Sequence, residues 1–253
     1  MVSKGRPVAL VTGASSGIGE ATALALARAG YAVALTARRA ALLEELAGRI
    51  RRAGGVALPV PADLLAGTEI DGVVRAVEAQ LGPIQVLINN AGVSLRHRAW
   101  RPSDEALESV FGTNLLAPIR VVRAVAPLMV ERRKGHIINV GSMAAYVGTP
   151  GSALYAASKA GLRIWSRTLG HELRPYGVHV SLLSPGYIRT PMTSNIRVPM
   201  PPPEAAAAAV LRLLRRPRRE LVVPRYYALA AWVEWFTPWA VDLAMALLPR
   251  RTP

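Results

Sequence analysis

The sequence predicts an α/β protein: a doubly wound parallel sheet of about seven strands, helices on both faces, and a helical tail at the carboxyl end. Three observations predict it. Short β-branched runs alternate with longer Ala- and Leu-rich stretches along the chain, the pattern of repeated strand–helix–strand units. Hydrophobic residues make up 51% of the 253 and charged residues only 19%, which suits a packed core and excludes disorder. No linker is long enough to separate a second unit from the first, so 1–253 reads as a single domain.

Val8–Thr12 reads as the first strand, and Gly17–Ala29 as a helix that Gly30 ends. Tyr31–Thr36 is β-rich, and Ala40–Arg52 is helical up to the Gly54-Gly55 break. Val56–Val60 gives a third strand, Thr68–Leu81 a helix stopped by Gly82-Pro83, and Ile84–Ile88 a fourth strand. Ser103–Gly112 and Leu115–Arg133 read as two helices, with Gly135 breaking the second before the strand His136–Val140. A long helix, Ser152–Tyr176, leads into the strand Val178–Leu183. Residues 187–203 are irregular and proline-rich; Glu204–Arg215 is helical and Glu220–Val223 a last strand. Right-handed crossovers between successive parallel strands wind such a sheet both ways.

Cysteine is absent, which excludes disulfides, Cys–zinc sites and a thiol nucleophile, and suits a reducing compartment. The first apolar run, Val8–Val11, is too short for a signal-peptide core, so a cytoplasmic location is expected. His97, His136, His171 and His179 lack metal-ligand spacing, and no metal site is expected. Lys and Arg total 31 against 16 Asp and Glu, a net charge of +15. Biased codon usage accounts for such a chain, and so does an anionic partner: a nucleotide phosphate, nucleic acid or an acidic membrane. Arginines at 212, 215, 216, 218 and 219 are the best support for nucleic acid. No aromatic-interleaved basic strand or helix-turn-helix accompanies them, so nucleic acid is not the expected partner.

Gly13-Ala14-Ser15-Ser16-Gly17-Ile18-Gly19 lies between the first strand and the first helix. Glycine there permits positive φ and close approach of a pyrophosphate to backbone N–H groups at the helix start. An ordinary glycine-rich turn is the plainer alternative. Tyr155 and Lys159 are four apart on a predicted helix, hence on one face about 5.4 Å apart. A neighbouring ammonium should lower the phenol's pKa toward a useful acid–base range. A surface Tyr–Lys pair is the plain alternative, but Lys159 is one of only three lysines, with Lys4 and Lys134.

These motifs together resemble the short-chain dehydrogenase/reductase family. Thr12-Gly13-x-x-x-Gly17-x-Gly19, Asn89-Asn90-Ala91-Gly92, Asn114, Ser142, Tyr155-x-x-x-Lys159, Pro185-Gly186 and Thr190 stand in its order and spacing. The resemblance implies a Rossmann-type fold and a Ser142, Tyr155, Lys159, Asn114 tetrad. Ser142 would hydrogen-bond the substrate oxygen, and Asn114 would bend a helix and hold a water that passes protons to Lys159. Taken alone, Ser142 is a strand-end cap and Asn114 a helix cap or turn residue. A nicotinamide dinucleotide would lie on Gly13, Ser15, Ser16, Gly17, Ile18 and Gly19. Asp63 and Leu64 would border its adenine, Asn90, Ala91 and Gly92 its ribose. Pro185, Gly186, Ile188 and Thr190 would border its nicotinamide. Asp63 also suits a simple N-cap.

After the second strand comes Thr36-Ala37-Arg38-Arg39, with no carboxylate to bond a ribose 2′-hydroxyl. Arg38, or else Arg39, can pair a 2′-phosphate, so NADP(H) is expected over NAD(H), which stays open. Residues 187–203 would cover the substrate; Met192, Ile196, Val198 and Met200 there suggest a lipophilic carbonyl or alcohol. Arg96, His97, Arg98 and Arg101 form a solvated basic loop or an acidic-substrate contact. A catalytically inactive cofactor-binding scaffold is a further alternative, opposed by the intact tetrad.

The helices 115–133 and 152–176 resemble those that pair subunits in the family. Val121, Val122, Val125, Leu162 and Trp165 suggest faces wide enough for a homodimer or homotetramer. In the tail, 226–248, Trp232, Trp235 and Trp239 share a helical face, and Thr237-Pro238 suits the start of a second short helix. Such helices could pack on the domain as extra core, pack on a neighbouring subunit, or lie peripherally in a membrane interface. Arg212 to Arg225 before the tail and Arg250-Arg251 after it would supply charge for the third use.

Overall fold

The computed structural model describes residues 5–246; Arg250-Arg251 and the end of the expected tail lie outside them. Seven strands form one parallel sheet: β1 Val8–Thr12, β2 Ala32–Thr36, β3 Val56–Pro59, β4 Ile84–Asn89, β5 Gly135–Val140, β6 Val178–Pro185 and β7 Glu220–Val223. Their order across the sheet is β3-β2-β1-β4-β5-β6-β7. Strand order therefore reverses between β1 and β4, where the crossovers leave a crevice at the carboxyl edge.

Alternation along β1 divides the core. Val8 and Leu10 face one apolar layer, and Ala9 and Val11 the other. The first layer is closed by α3 (Ile70–Leu81), α5 (Ala117–Glu131) and α6 (Ala153–Leu173). The second is closed by α1 (Gly17–Arg28), α2 (Ala40–Arg52) and α7 (Pro203–Arg215). With both faces covered, the strands are apolar throughout; all five residues of β1 and of β2 are buried.

Several boundaries differ from the sequence reading. The third helix starts at Ile70, because Leu64–Ala66 forms a separate 3-10 turn that Gly67 ends at φ +53°. The long helix stops at Leu173 and tightens into a 3-10 turn, Arg174–Tyr176, where Pro175 lacks an N–H. The helices expected over 103–112 and 115–133 are one continuous stretch. α4 (Asp104–Phe111) and α5 join through a π turn, Gly112–Leu116, centred on Asn114. The irregular 187–203 contains a 3-10 turn, Pro191–Thr193.

Two packing expectations are corrected. Val121, Val122, Val125 and Leu162 are buried within the chain's own fold, and Trp165 packs against the first layer, so they form no spare subunit face. The tail forms α8 (Tyr227–Phe236) and α9 (Pro238–Ala246), split at Thr237-Pro238, but α8 contains no buried residue. It is not extra core.

Candidate functional site

The crevice at the switch point is a cleft of about 310 Å3 at the carboxyl ends of β1, β4, β5 and β6. One end is the glycine turn. Gly13 and Gly17 hold φ of +64° and +59°, which other residues rarely adopt. A Cβ on Gly13 would stand 2.7 Å from the Ala91 Cα, and one on Gly19 would collide with the Gly13 carbonyl. The turn thus lies flat against the end of β4. Ser16 precedes α1 without a side-chain cap, leaving the helix's first N–H groups facing the cleft.

Thr12 clamps this arrangement, a role that spacing alone does not reveal. Its hydroxyl accepts the backbone N–H of Asn90 (3.0 Å) and Ala91 (3.1 Å). Asn90 answers by donating its side-chain amide to the Thr12 and Gly13 carbonyls at 3.0 and 3.1 Å. The available signal is a hydroxyl ending an otherwise apolar strand. Arg39 donates to the Ser15 hydroxyl at 2.8 Å and to Ser16 at 2.9 Å, which fixes a guanidinium over the turn. Arg38 lines the same wall without a bond to the turn.

Asp63 caps the Leu64–Ala66 turn by accepting from the Leu65 N–H at 3.0 Å, and also borders the cleft with Leu64. Ser142 likewise caps a turn, accepting from the Ala144 N–H at 3.1 Å, while lining the cleft. Both residues therefore cap a turn and also face the cleft.

At the other end stand Tyr155 and Lys159, one turn apart on α6. Lys159 is buried, donates to the Val140 carbonyl at 2.8 Å, and has its ammonium 5.9 Å from the Tyr155 ring centre. Burial pulls its pKa down to about 8. The expected lowering of the Tyr155 pKa is not what this environment produces. Burial raises it above the usual phenol value, and a hydrogen bond with Ser142 opposes that rise. Asn114 lies behind the pair, fully buried at the π turn. Its amide donates to the Val93 carbonyl (2.9 Å) and the Ser158 hydroxyl (3.0 Å), and its oxygen accepts the Val93 N–H (2.8 Å). The helix irregularity implied by the family resemblance is therefore present. The main chain around Gly92 is pinned beside Lys159.

Pro185, Gly186, Ile188 and Thr190 complete the wall, with Met192 and Thr193 beyond them. The Thr193 hydroxyl donates to the Ile188 carbonyl at 2.6 Å and so folds this segment over the cleft. Every predicted catalytic and cofactor residue lines the cleft except Gly19 and Asn114, which support it from behind, whereas of Met192, Ile196, Val198 and Met200 only Met192 does, and Arg96, His97, Arg98 and Arg101 do not. Among the described residues no group of three or more His, Asp or Glu is placed to hold a metal.

The positive-φ glycines, the open helix start and the two arginines fit an extended anionic dinucleotide, and a Cβ at Gly13 or Gly19 would spoil the fit. Residues 7–200 match the family described as short chain dehydrogenase. A 3-oxoacyl-(acyl-carrier-protein) reductase of Synechocystis sp. is 40% identical over 195 residues, 75% of this chain and 77% of that protein. A variant of actinorhodin polyketide ketoreductase, solved with NADPH, has a TM-score of 0.81 at 31% identity, over 88% of this chain and 97% of that one. A metagenomic short-chain oxidoreductase in complex with NADP has a TM-score of 0.76 at 35% identity, over 86% and 96%.

Proposed function

The chain belongs to the short chain dehydrogenase family, and we propose from it and the site that this is an NADP(H)-dependent oxidoreductase. It would interconvert a lipophilic carbonyl and its alcohol, with Tyr155 as general acid–base. The observation that carries this reading is the Ser142–Tyr155–Lys159 cluster at the far end of a glycine-floored cleft. When bound, the dinucleotide supplies or takes up a hydride at the substrate carbon. In reduction Tyr155 gives its phenolic proton to the substrate oxygen, and in oxidation it takes that proton back. The Ser142 hydroxyl donates to the same oxygen as charge develops. The Lys159 ammonium favours the phenolate left after transfer, offsetting the burial that otherwise disfavours it.

The α1 start would hold the pyrophosphate, Asp63 and Leu64 the adenine, Asn90, Ala91 and Gly92 the ribose, and Ile188 and Thr190 the nicotinamide end. Arg38 would pair the 2′-phosphate, with Arg39 beside it; NAD(H) would be the weaker cofactor. Neighbours solved with NADPH and NADP support that preference. Residues 187–203 would cover the substrate, within the same single domain. A 3-oxoacyl chain, named in the Synechocystis relative, has the expected lipophilic character. A homodimer or homotetramer, as the family resemblance implies, would use exposed side chains such as Ile164 on α6.

The test is NADPH absorbance with a panel of ketones, aldehydes and secondary alcohols. Tyr155→Phe keeps the ring but removes the proton, and turnover should fall about 10²–10⁴-fold with NADPH binding retained. Near-normal turnover in this variant would refute the assignment.

A further inference from the structure

We propose that the tail docks the protein on an anionic phospholipid surface, with the cleft rim against the lipid, so that the substrate is a long-chain carbonyl or alcohol carried in that lipid. The substrate half rests on the oxidoreductase reading above; the docking half does not.

Leu229, Trp232, Trp235, Phe236, Trp239 and Leu243 on α8 and α9 are each between 58 and 71% exposed. Contiguous apolar surface of this kind marks a partner or a membrane. Its composition favours the membrane interface, where tryptophan sits at headgroup level. The helices cannot span. At 10 residues α8 is about 15 Å long, half of a ~30 Å hydrocarbon core. Glu234 and Asp242 add to that cost. One described stretch, Asp104–Glu131, is long and apolar enough to cross a membrane. It cannot serve, since its Val121, Val122, Val125 and Met129 are buried against the sheet.

Placement ties this surface to the cleft. β6 and β7 are parallel neighbours, so the segments following them leave the same edge of the sheet. The Tyr227 ring lies against Gly186, a cleft residue, and meets Tyr187 edge-on at 6.3 Å between ring centres. Beside it, residues 186–203 carry exposed Met192 and Val198, exposed Arg189 and Arg197, and no carboxylate. Arg225, at the root of α8, is exposed as well. None of these three arginines forms an ion pair among the described residues, so they can face anionic headgroups.

One sequence expectation is corrected here. Arg212, Arg215, Arg216, Arg218 and Arg219 precede β7, whose four residues span roughly 13 Å, so they lie toward the opposite edge from the tail. The docking cations are those on the cleft rim instead.

The test uses the full chain with vesicles of phosphatidylglycerol and phosphatidylcholine, against phosphatidylcholine alone. Three of the five tryptophans lie in the tail, so docking should shift tryptophan emission to the blue as the protein sediments with the anionic vesicles. Raised salt should weaken binding. Trp235→Ser, Phe236→Ser and Trp239→Ser together should reduce it about tenfold or more. The triple variant should retain turnover of a short water-soluble ketone but lose most turnover of a long-chain methyl ketone dissolved in the vesicles. Failure to sediment at low salt overturns the docking. So does light scattering in which the triple variant turns a dimer into a monomer with vesicle binding unchanged. Equal loss on both ketones overturns the substrate half. If neither ketone is turned over by the parent, the oxidoreductase reading and the substrate half fail, and sedimentation alone decides the docking.

Discussion

Lys159 on α6 and Trp235 on α8 are both long side chains on helices, yet Lys159 is 4% exposed and bonded to a strand carbonyl, whereas Trp235 is 71% exposed. The same contrast holds across their regions. In and behind the cleft, residues are held by partners distant in sequence: Gly13 by Ala91 and Asn90, Asn90 by Thr12, Asn114 by Val93 and Ser158. In the tail, no residue of α8 is buried, and Tyr227 lies against Gly186 and Tyr187. Over-determined positions accept little change, because moving one member displaces several others. A motif in the cleft therefore has a geometric meaning, whereas an aromatic cluster in the tail acquires one only from its surroundings.

The largest effect should come from the most over-determined charge. Lys159→Met should cut turnover about 10²–10⁴-fold, as loss of a group that supports proton transfer does. Its effect on stability should have the opposite sign. The folded-state pKa of about 8 lies below the ordinary 10.5, so the unfolded chain holds more protons between those values. Stability from this group therefore rises with pH across that window, and the cost of the buried ammonium is fully present below pH 8. The variant should gain on the parent near pH 7, and the gap should narrow as pH rises from about 8 toward 10.5. Denaturant titrations of both proteins at a series of pH values check this. A gap that stays constant would mean that the Lys159 ammonium keeps its ordinary pKa in the folded cleft.

A smaller effect separates the two arginines. Arg38→Ala removes a charge-assisted pair worth about 1.5–3 kcal/mol, which is roughly 10–100-fold in kcat/KM for NADPH. NADH should be little affected. Arg39→Ala instead frees Ser15 and Ser16 in the turn that both cofactors share. It should weaken both alike. Reversal of the two patterns would assign the 2′-phosphate to Arg39.

Legibility followed the same division. β1, α2 and β7 matched their expected bounds: β1 is an apolar run between Pro7 and Gly13, α2 an amphipathic stretch ending before Gly54-Gly55, and β7 a short β-branched run ending before Pro224. Tyr155, Lys159 and the glycine turn are readable from spacing, Ser142 only from the family resemblance, and all of them line one cleft. The π turn at Asn114 has no signal outside the family resemblance. Gly112-Thr113-Asn114 reads as a break between helices until Val93 and Ser158, distant in sequence, supply bonds to the Asn114 side chain. Tyr146, Arg163, Ser184 and Glu220 were equally invisible. They come from four segments and meet behind the cleft, with the Arg163 guanidinium 4.2 Å from the Tyr146 ring centre and Ser184 donating to Glu220 at 2.5 Å. Such clusters depend on strand order, which local patterns do not encode. Burial of Val121, Val122, Val125 and Leu162 within the fold is unreadable from sequence for a related reason. An apolar stripe shows that something covers it, not whether the cover is the sheet or a second subunit.

The smallest expected effect is the most direct test of the contrast. Trp235→Ser, Phe236→Ser and Trp239→Ser, taken singly in the absence of lipid, remove large apolar side chains. In a core each would cost about 3–5 kcal/mol. At about 70% exposure they should change stability by no more than about 0.5 kcal/mol, or roughly 1–2 °C in Tm for a chain of this size. Tyr227→Ala should behave differently, since its ring fills the space that a Cβ on Gly186 would occupy. Thermal melts of the four variants at two protein concentrations make the comparison. If Trp235→Ser lowers Tm by several degrees at both concentrations, the tail packs on the body in solution and belongs with the cleft. If the loss appears only at the higher concentration, a second copy covers the tail, and its exposed aromatic face is a subunit contact rather than a lipid one.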